Sequence, residues 1–171
     1  AASDVYKRQH PIHEGTTGIH GLDLLGRKVM MKNGKAYQLF MAEVQATIKK
    51  AASITALAQR TNELANKLKT LHKVSMHLLA LAKQNKVETF LSDATLYLEM
   101  FGIITIAWQW LKMGIVAHKK LATAKMTADA NNFYQGKMHA LRYFYEYELP
   151  KTHSLAQRLI SDDKVTLDIA N

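Results

Sequence analysis

The sequence predicts an all-α protein, an antiparallel helical bundle with long helices. Only two prolines and eight glycines occur in 171 residues, which favours uninterrupted helices over turn-rich β structure. No long stretch alternates between apolar and polar residues with a period of two. The strongest pattern is a heptad repeat, typical of helical bundles and coiled coils, at Leu57, Leu64, Leu71 and Leu78.

Two helices are predicted ahead of this heptad. Thr16 or Thr17 can cap a short first helix, whose apolar side is predicted to carry Ile19, Leu22 and Leu25. The Asn33-Gly34 pair then breaks the helical pattern. A second helix follows, with an apolar stripe at Leu39, Phe40, Val44 and Ile48.

The long heptad helix is followed by three more predicted elements. A fourth helix is predicted over residues 92–126, with a short turn at 87–91. We expect Asn131-Asn132 to break the pattern before a helix whose stripe contains Tyr134, Met138, Leu141 and Tyr145. Pro150 is predicted to stop that helix and to open a short last one that ends near Ile160.

The charge of the chain is basic and unevenly distributed. The net charge is +9, and residues 27–86 hold twelve Lys and Arg against only Glu43 and Glu63. Such a segment could face nucleic acid, anionic lipid or a polyphosphate. We favour solvated helix faces, because no basic run is interleaved with aromatic residues as in strand-binding surfaces.

The remaining compositional signals concern compartment and membrane. The absence of cysteine excludes disulfides and thiolate metal sites and suits a reducing cytoplasm. Residues 1–20 lack the apolar core of a signal peptide. The apolar stretch 96–116 is interrupted by Glu99, Gln109 and Lys112, so we expect a buried core helix and no membrane span.

The most site-like segment surrounds Glu14. A carboxylate beside a glycine, just ahead of a helix start, can act as a general base next to a bound anion such as a pyrophosphate. On spacing alone, a plain capping turn with an exposed glutamate is the favoured interpretation. His10, His13 and His20 lack the spacing of a paired-histidine helix motif, and Pro11 keeps the first two off one helical face, so no metal site is predicted.

Three segments in the same order resemble the acyl-CoA dehydrogenases, specifically the long bacterial members with an extra C-terminal helical domain. Residues 13–28 (HEGTTGIHGLDLLGRK) resemble the catalytic-glutamate segment of that family. Two further stretches are similar to helices of the extra domain. They are residues 90–102 (FLSDATLYLEMFG) with 108–111 (WQWL), and residues 133–145 with Leu149-Pro150.

The resemblance implies an activity and a set of site residues. It implies α,β-desaturation of an acyl-CoA thioester, with Glu14 as the catalytic base and Thr16, Thr17 and Gly18 at positions that contact FAD. It also implies electron-transfer flavoprotein as the electron acceptor and a homo-oligomeric assembly. His20 stands where glutamine is common, and His13 where an aromatic residue is common, so details of the cofactor contact are expected to differ.

The expected organisation follows from this resemblance. Residues 1–9 are expected to be a non-native leader, 10–31 the end of the flavin-binding helical domain, 32–165 the appended bundle and 166–171 a tail. The chain is expected to be a C-terminal fragment that neither binds FAD tightly nor turns over alone. Two alternatives remain open: a non-enzymatic helical interaction module built on the heptad, and a basic nucleic-acid-binding bundle.

Overall fold

A computed structural model describes residues 16–123, 126–161, 163 and 165–168. Within these residues the secondary structure is helical, with no strand, which confirms the all-α prediction. The helices are α1 (Thr17–Asp23), α2 (Met31–Ala52), α3 (Ala58–Lys83), α4 (Val87–Leu91), α5 (Ala94–Leu121), α6 (Ala128–Tyr143) and α7 (Thr152–Leu159). The expected leader lies outside the described residues.

Short irregular turns extend several of these helices. A π-helical turn, Leu24–Lys28, continues α1, and a second, Phe144–Glu148, continues α6. A 3₁₀ turn, Thr55–Leu57, leads into α3, and another, Leu149–Lys151, carries Pro150 into α7. The predicted proline boundary is confirmed, because the proline ring fits the first turn of a helix but not its interior.

Helix α5 is the centre of the bundle and packs against α1, α2, α3, α6 and α7. It runs antiparallel to α3, since Tyr97 meets Ser75 near one end while Gly114 lies beside Leu57 near the other. It is also antiparallel to α6, where Ala107 meets Tyr145. The apolar side chains that these helices share form the core of the described chain.

The heptad of α3 is buried as predicted. Leu57, Leu64, Leu71 and Leu78 are each at most 1% exposed. Of the alternate positions of this repeat, Thr61, Leu68 and Ser75 are buried as well, whereas Ala82 is only partly buried. The repeat therefore marks the side of α3 that faces α5 and the rest of the core.

Four local predictions are wrong. Ile19 and Leu22 of α1 are exposed. The buried side of this segment instead carries Gly21 and Leu25, because α1 packs against α5 through Gly21. On α2, Leu39 is exposed.

The other two errors concern boundaries. Asn131-Asn132 lies inside α6 rather than before it, because the Thr127 side chain accepts a hydrogen bond from the Ala130 N–H at 3.2 Å and starts the helix earlier. Helix α5 ends at Leu121, before the predicted end at residue 126.

The segment Val87–Leu121 is long and apolar enough to cross a membrane by length and composition. A helix at the centre of a bundle meets the same criterion. One third of its most apolar window is buried inside the described chain, and α5 supplies contacts to five other helices. These contacts are those of a core helix.

Candidate functional site

Thr16, Thr17 and Gly18 lie within the described chain, whereas Glu14 lies outside it, so its role stays a prediction. Thr17 and Gly18 form the exposed first turn of α1, and Thr16 precedes it, half-buried. The Thr16 carbonyl accepts a hydrogen bond from the His20 N–H at 2.9 Å.

The predicted threonine cap on α1 is not made by a side chain. Thr16 has φ −100° and ψ −5°, close to helical values. A capping side chain reaches the first turn from an extended backbone. Thr16 therefore begins α1 through its backbone carbonyl.

A close backbone contact at Gly21 fixes the position of α1. A Cβ at residue 21 would lie 2.8 Å from the Ala94 carbonyl oxygen and 3.0 Å from the Thr95 nitrogen. Only glycine allows α1 to approach the start of α5 this closely. Leu25 and Val29 then bury their side chains on the same side. This contact holds α1, which begins with Thr17 and Gly18, close to the start of the central helix α5.

The first turn of α1 is suited to contact one anionic group of a cofactor such as FAD. It is exposed, and no atom of the described residues lies within 4 Å of the position that a Cβ at Gly18 would take, so within this part of the chain a bulky group can approach the backbone. The N-terminal end of a helix also carries a partial positive charge. The grooves found on the described chain are lined by other residues. Within the described chain, Thr17 and Gly18 therefore form an exposed surface outside these grooves.

An exposed ion pair links the end of α1 to the π-helical turn that follows it. The Arg27 Nε donates a hydrogen bond to Asp23, four residues earlier. This bond holds the pKa of the Asp23 carboxyl below its usual range and raises the pKa of the Arg27 guanidinium. Both groups face solvent, so the pair contributes little to stability.

The histidines flanking Glu14 are only partly described. His20 is exposed on α1, and His10 and His13 lie outside the described residues. Among the residues that the structure places, no three His, Asp or Glu side chains form a group able to hold a metal ion.

Buried hydrogen bonds hold α5 against its neighbours. The Ser75 hydroxyl donates to the Leu71 carbonyl at 2.8 Å, so the Tyr97 hydroxyl, 2.7 Å away, donates to Ser75. The Tyr145 hydroxyl donates to the Ala107 carbonyl at 3.0 Å. Burial raises the pKa of both tyrosines well above the usual range. These phenols stay neutral and bridge α5 to α3 and to the turn after α6.

The tryptophan side chains that could resemble a base-stacking surface have partners within the bundle. The Trp108 indole N–H donates to the Thr47 hydroxyl at 2.7 Å. The Lys112 ammonium lies 5.0 Å from the centroid of the Trp108 ring. The Lys137 ammonium lies 5.9 Å from the Trp110 centroid. Both tryptophans are half-buried against the core.

An ion-pair cluster at Glu146 links α3 to the turn after α6. The Glu146 carboxylate accepts from Arg142 at 2.9 Å, but also from Arg60 of α3 at 2.8 Å. These hydrogen bonds lower the pKa of Glu146, with Arg142 as the larger cause. The contact joins residues 86 positions apart. No local pattern in the sequence indicates it.

Comparison with known proteins places this bundle in a family. Residues 40–170 match the family model described as "Acetyl-CoA dehydrogenase C-terminal like". The chain belongs to this family. The match covers most of the chain and confirms the resemblance to acyl-CoA dehydrogenases.

A curated relative supports this membership of the acetyl-CoA dehydrogenase C-terminal-like family. The chain is similar to 3-methylmercaptopropionyl-CoA dehydrogenase from Ruegeria pomeroyi, with 31% identity over 113 residues. The aligned part covers 66% of this chain and 19% of the relative. The chain therefore spans about a fifth of the length of the relative that it matches.

Proposed function

We propose that this chain is the C-terminal part of a FAD-dependent acyl-CoA dehydrogenase, in which the bundle α2–α7 is an appended domain. The observation that carries the proposal is the family match over residues 40–170, which coincides with this all-helical bundle. The similarity to a CoA-thioester dehydrogenase supports it. The residues ahead of the match contain Glu14 and the first turn of α1.

The proposed reaction is α,β-desaturation of an acyl-CoA. Glu14 takes the α-proton of the thioester, the β-carbon loses a hydride, and a carbon–carbon double bond forms. FAD supplies the hydride acceptor for this step. Thr17 and Gly18, exposed at the positive end of α1, would bind an anionic part of the cofactor through the backbone. Gly21 holds this turn against α5.

The wider setting is part of the same proposal. The electrons leave through electron-transfer flavoprotein, and the enzyme works in the cytoplasm as a homo-oligomer. The appended bundle serves assembly or covers the active-site face. A nucleic-acid partner is disfavoured, because Trp108 and Trp110 are engaged within the bundle and are not arranged as exposed stacking platforms.

The test of Glu14 uses the full-length enzyme with FAD bound. Glu14→Gln keeps the size of the side chain but removes the base, so kcat should fall by about 10²–10⁴-fold, the usual contribution of a general base. The flavin absorbance spectrum should be unchanged. Glu43→Gln, at an exposed position of α2, is the matched control and should keep wild-type kcat.

Two results would contradict the proposal. Loss of FAD together with activity in Glu14→Gln would assign the residue to cofactor binding instead of proton transfer. An upstream reading frame without flavin-binding or β-domain motifs would remove the dehydrogenase assignment altogether.

A further inference from the structure

A long groove runs between α2 and α3 on the side away from α5. Its volume is about 820 Å³, and it is open to solvent along its length. Lining residues recur every three or four positions on both helices, over 37–49 on α2 and 65–83 on α3. At the rise of an α-helix, these stripes extend for about 18 Å and about 27 Å. The groove therefore has the length of a helix of roughly 12–18 residues.

The floor of the groove is apolar. Met41 and Ile48 of α2 face Leu68, Met76 and Leu79 of α3 across it. Met76 is 51% exposed, which is high for a methionine beside a core. When two neighbouring helices both carry an apolar stripe without a partner, a third helix can pack into the groove between them. Flexible methionines suit such a surface.

The rim of the groove carries one sign of charge. Lys49, Lys69 and Lys83 line it together with His72, whose ring stacks on Tyr37 at 6.2 Å between centroids. Among the described residues that line the groove there is no Asp or Glu. Within the described chain these three lysines form no ion pair. A partner that matches the rim must carry carboxylates.

The lysines at the rim also indicate which kind of molecule could occupy the groove. A second copy that docked through the same face would bring lysine against lysine, which is unfavourable. The described acidic residues of the C-terminal segment, Asp163 and Asp168, line a separate groove with His77 and Lys86. Neither the same face of a second copy nor these two described residues provide the complementary charge.

We infer that the α2–α3 groove docks an acidic amphipathic helix from a partner protein. The apolar side of that helix packs on Met41, Met76 and Leu79, and its flanking Glu or Asp residues pair with Lys49, Lys69 and Lys83. This interaction is independent of the chemistry proposed for Glu14.

The test uses the full-length enzyme with ¹³C-labelled methionine methyl groups, so that binding requires the groove to stay open beside the rest of the protein. The probe is a synthetic 16-residue helix with leucines at i, i+3, i+4 and i+7 and flanking glutamates. It should shift the methyl signals of Met41 and Met76 and leave Met113, which lies in a groove between α5 and α6, unchanged. A peptide with lysine in place of each glutamate should bind at least about tenfold more weakly.

Charge reversal provides the matched variants. Lys69 and Lys83 are exposed, so the double variant Lys69→Glu, Lys83→Glu should fold and should prefer the lysine peptide. Lys112→Glu, also exposed but on α5, should keep the wild-type preference.

Several outcomes would overturn the inference. They are absence of binding by the glutamate peptide, equal binding of both peptides, and shifts at Met113 in place of Met76. Concentration-dependent self-association that shifts Met76 without any peptide would identify a second copy as the occupant, and would also overturn it.

Discussion

At the scale of single residues, Gly21 has the most specific role in the described chain. A glycine within a helix normally lowers its stability. Here it permits a contact between α1 and the backbone of α5 that any side chain would block. The sequence could not predict this, because the contact depends on which face of α1 meets which end of α5.

Gly21→Ala should destabilise the chain by about 1–3 kcal/mol, because the new methyl group would meet backbone atoms that cannot rotate away. Gly18→Ala is the matched control, since its methyl group would meet nothing within 4 Å. We expect it to leave stability unchanged or to raise it by up to about 1 kcal/mol. Urea unfolding followed by circular dichroism measures both. Equal effects of the two substitutions would contradict the role of Gly21.

The polar seam residues of α3 show a second limit at this scale. Thr61 and Ser75 interrupt the heptad, which weakens a coiled-coil interpretation. In the structure both hydroxyls donate to carbonyls one turn earlier, and Ser75 also accepts from Tyr97. The burial of these residues was predictable from the seven-residue period. The tyrosine partner was not, because it lies on another helix.

At the scale of elements, the break in helical geometry just inside the start of α2 is the sharpest local feature. Lys32, Asn33 and Gly34 all have positive φ, at 51°, 56° and 78°. Glycine and asparagine accept this region readily, whereas lysine does so at a cost. The Asn33-Gly34 pair therefore predicts the break, while its extension to Lys32 was not predicted.

Lys32→Gly should raise the free energy of unfolding by up to about 1 kcal/mol, because it relieves the left-handed backbone conformation of a lysine. Lys35→Gly provides the control one residue past the turn, where the backbone is regular α2. There a glycine should cost about 0.5–1 kcal/mol. Thermal unfolding of the two variants should show melting temperatures that move in opposite directions. Movement in the same direction would argue against strain at Lys32.

At the scale of the whole molecule, the buried tyrosines determine how the fold responds to alkali. Tyr97 is fully buried and Tyr145 is 2% exposed, and burial raises the pKa of both. A phenol whose pKa is higher in the folded state releases its proton first in the unfolded chain. Its stabilising contribution is therefore complete below the unfolded pKa of about 10 and is lost as the pH rises above it.

The free energy of unfolding should thus fall above about pH 10, by up to about 1.4 kcal/mol per pH unit for each tyrosine. Tyr145→Phe should make this slope shallower. Tyr147→Phe, at a position 62% exposed, should leave it unchanged. Urea unfolding at a series of alkaline pH values measures the slopes, and an equal slope in wild type and Tyr145→Phe would contradict the assignment.

The fold class was predictable from the sequence, whereas the site residues remain a prediction that rests on the family resemblance. Helical periodicity and the heptad predict the bundle, because burial on one face imposes them on the sequence. The family resemblance supplied the roles of Glu14 and Thr16–Gly18, which spacing alone did not favour. The α2–α3 groove was not predicted, because the basic segment does not show which lysines share a surface until the helices are paired.

The contact of Gly21 with Ala94 has a consequence for how mutations would act at a distance. Helix α5 touches most of the bundle, and its first residue bears directly on the segment that continues from Glu14. A mutation near Leu111 or Tyr145 that shifts α5 along its axis would also shift the first turn of α1, because α1 is in close contact with α5 at Gly21. Under the proposed function, the position of the first turn of α1 relative to bound FAD therefore depends on how α5 packs within the bundle.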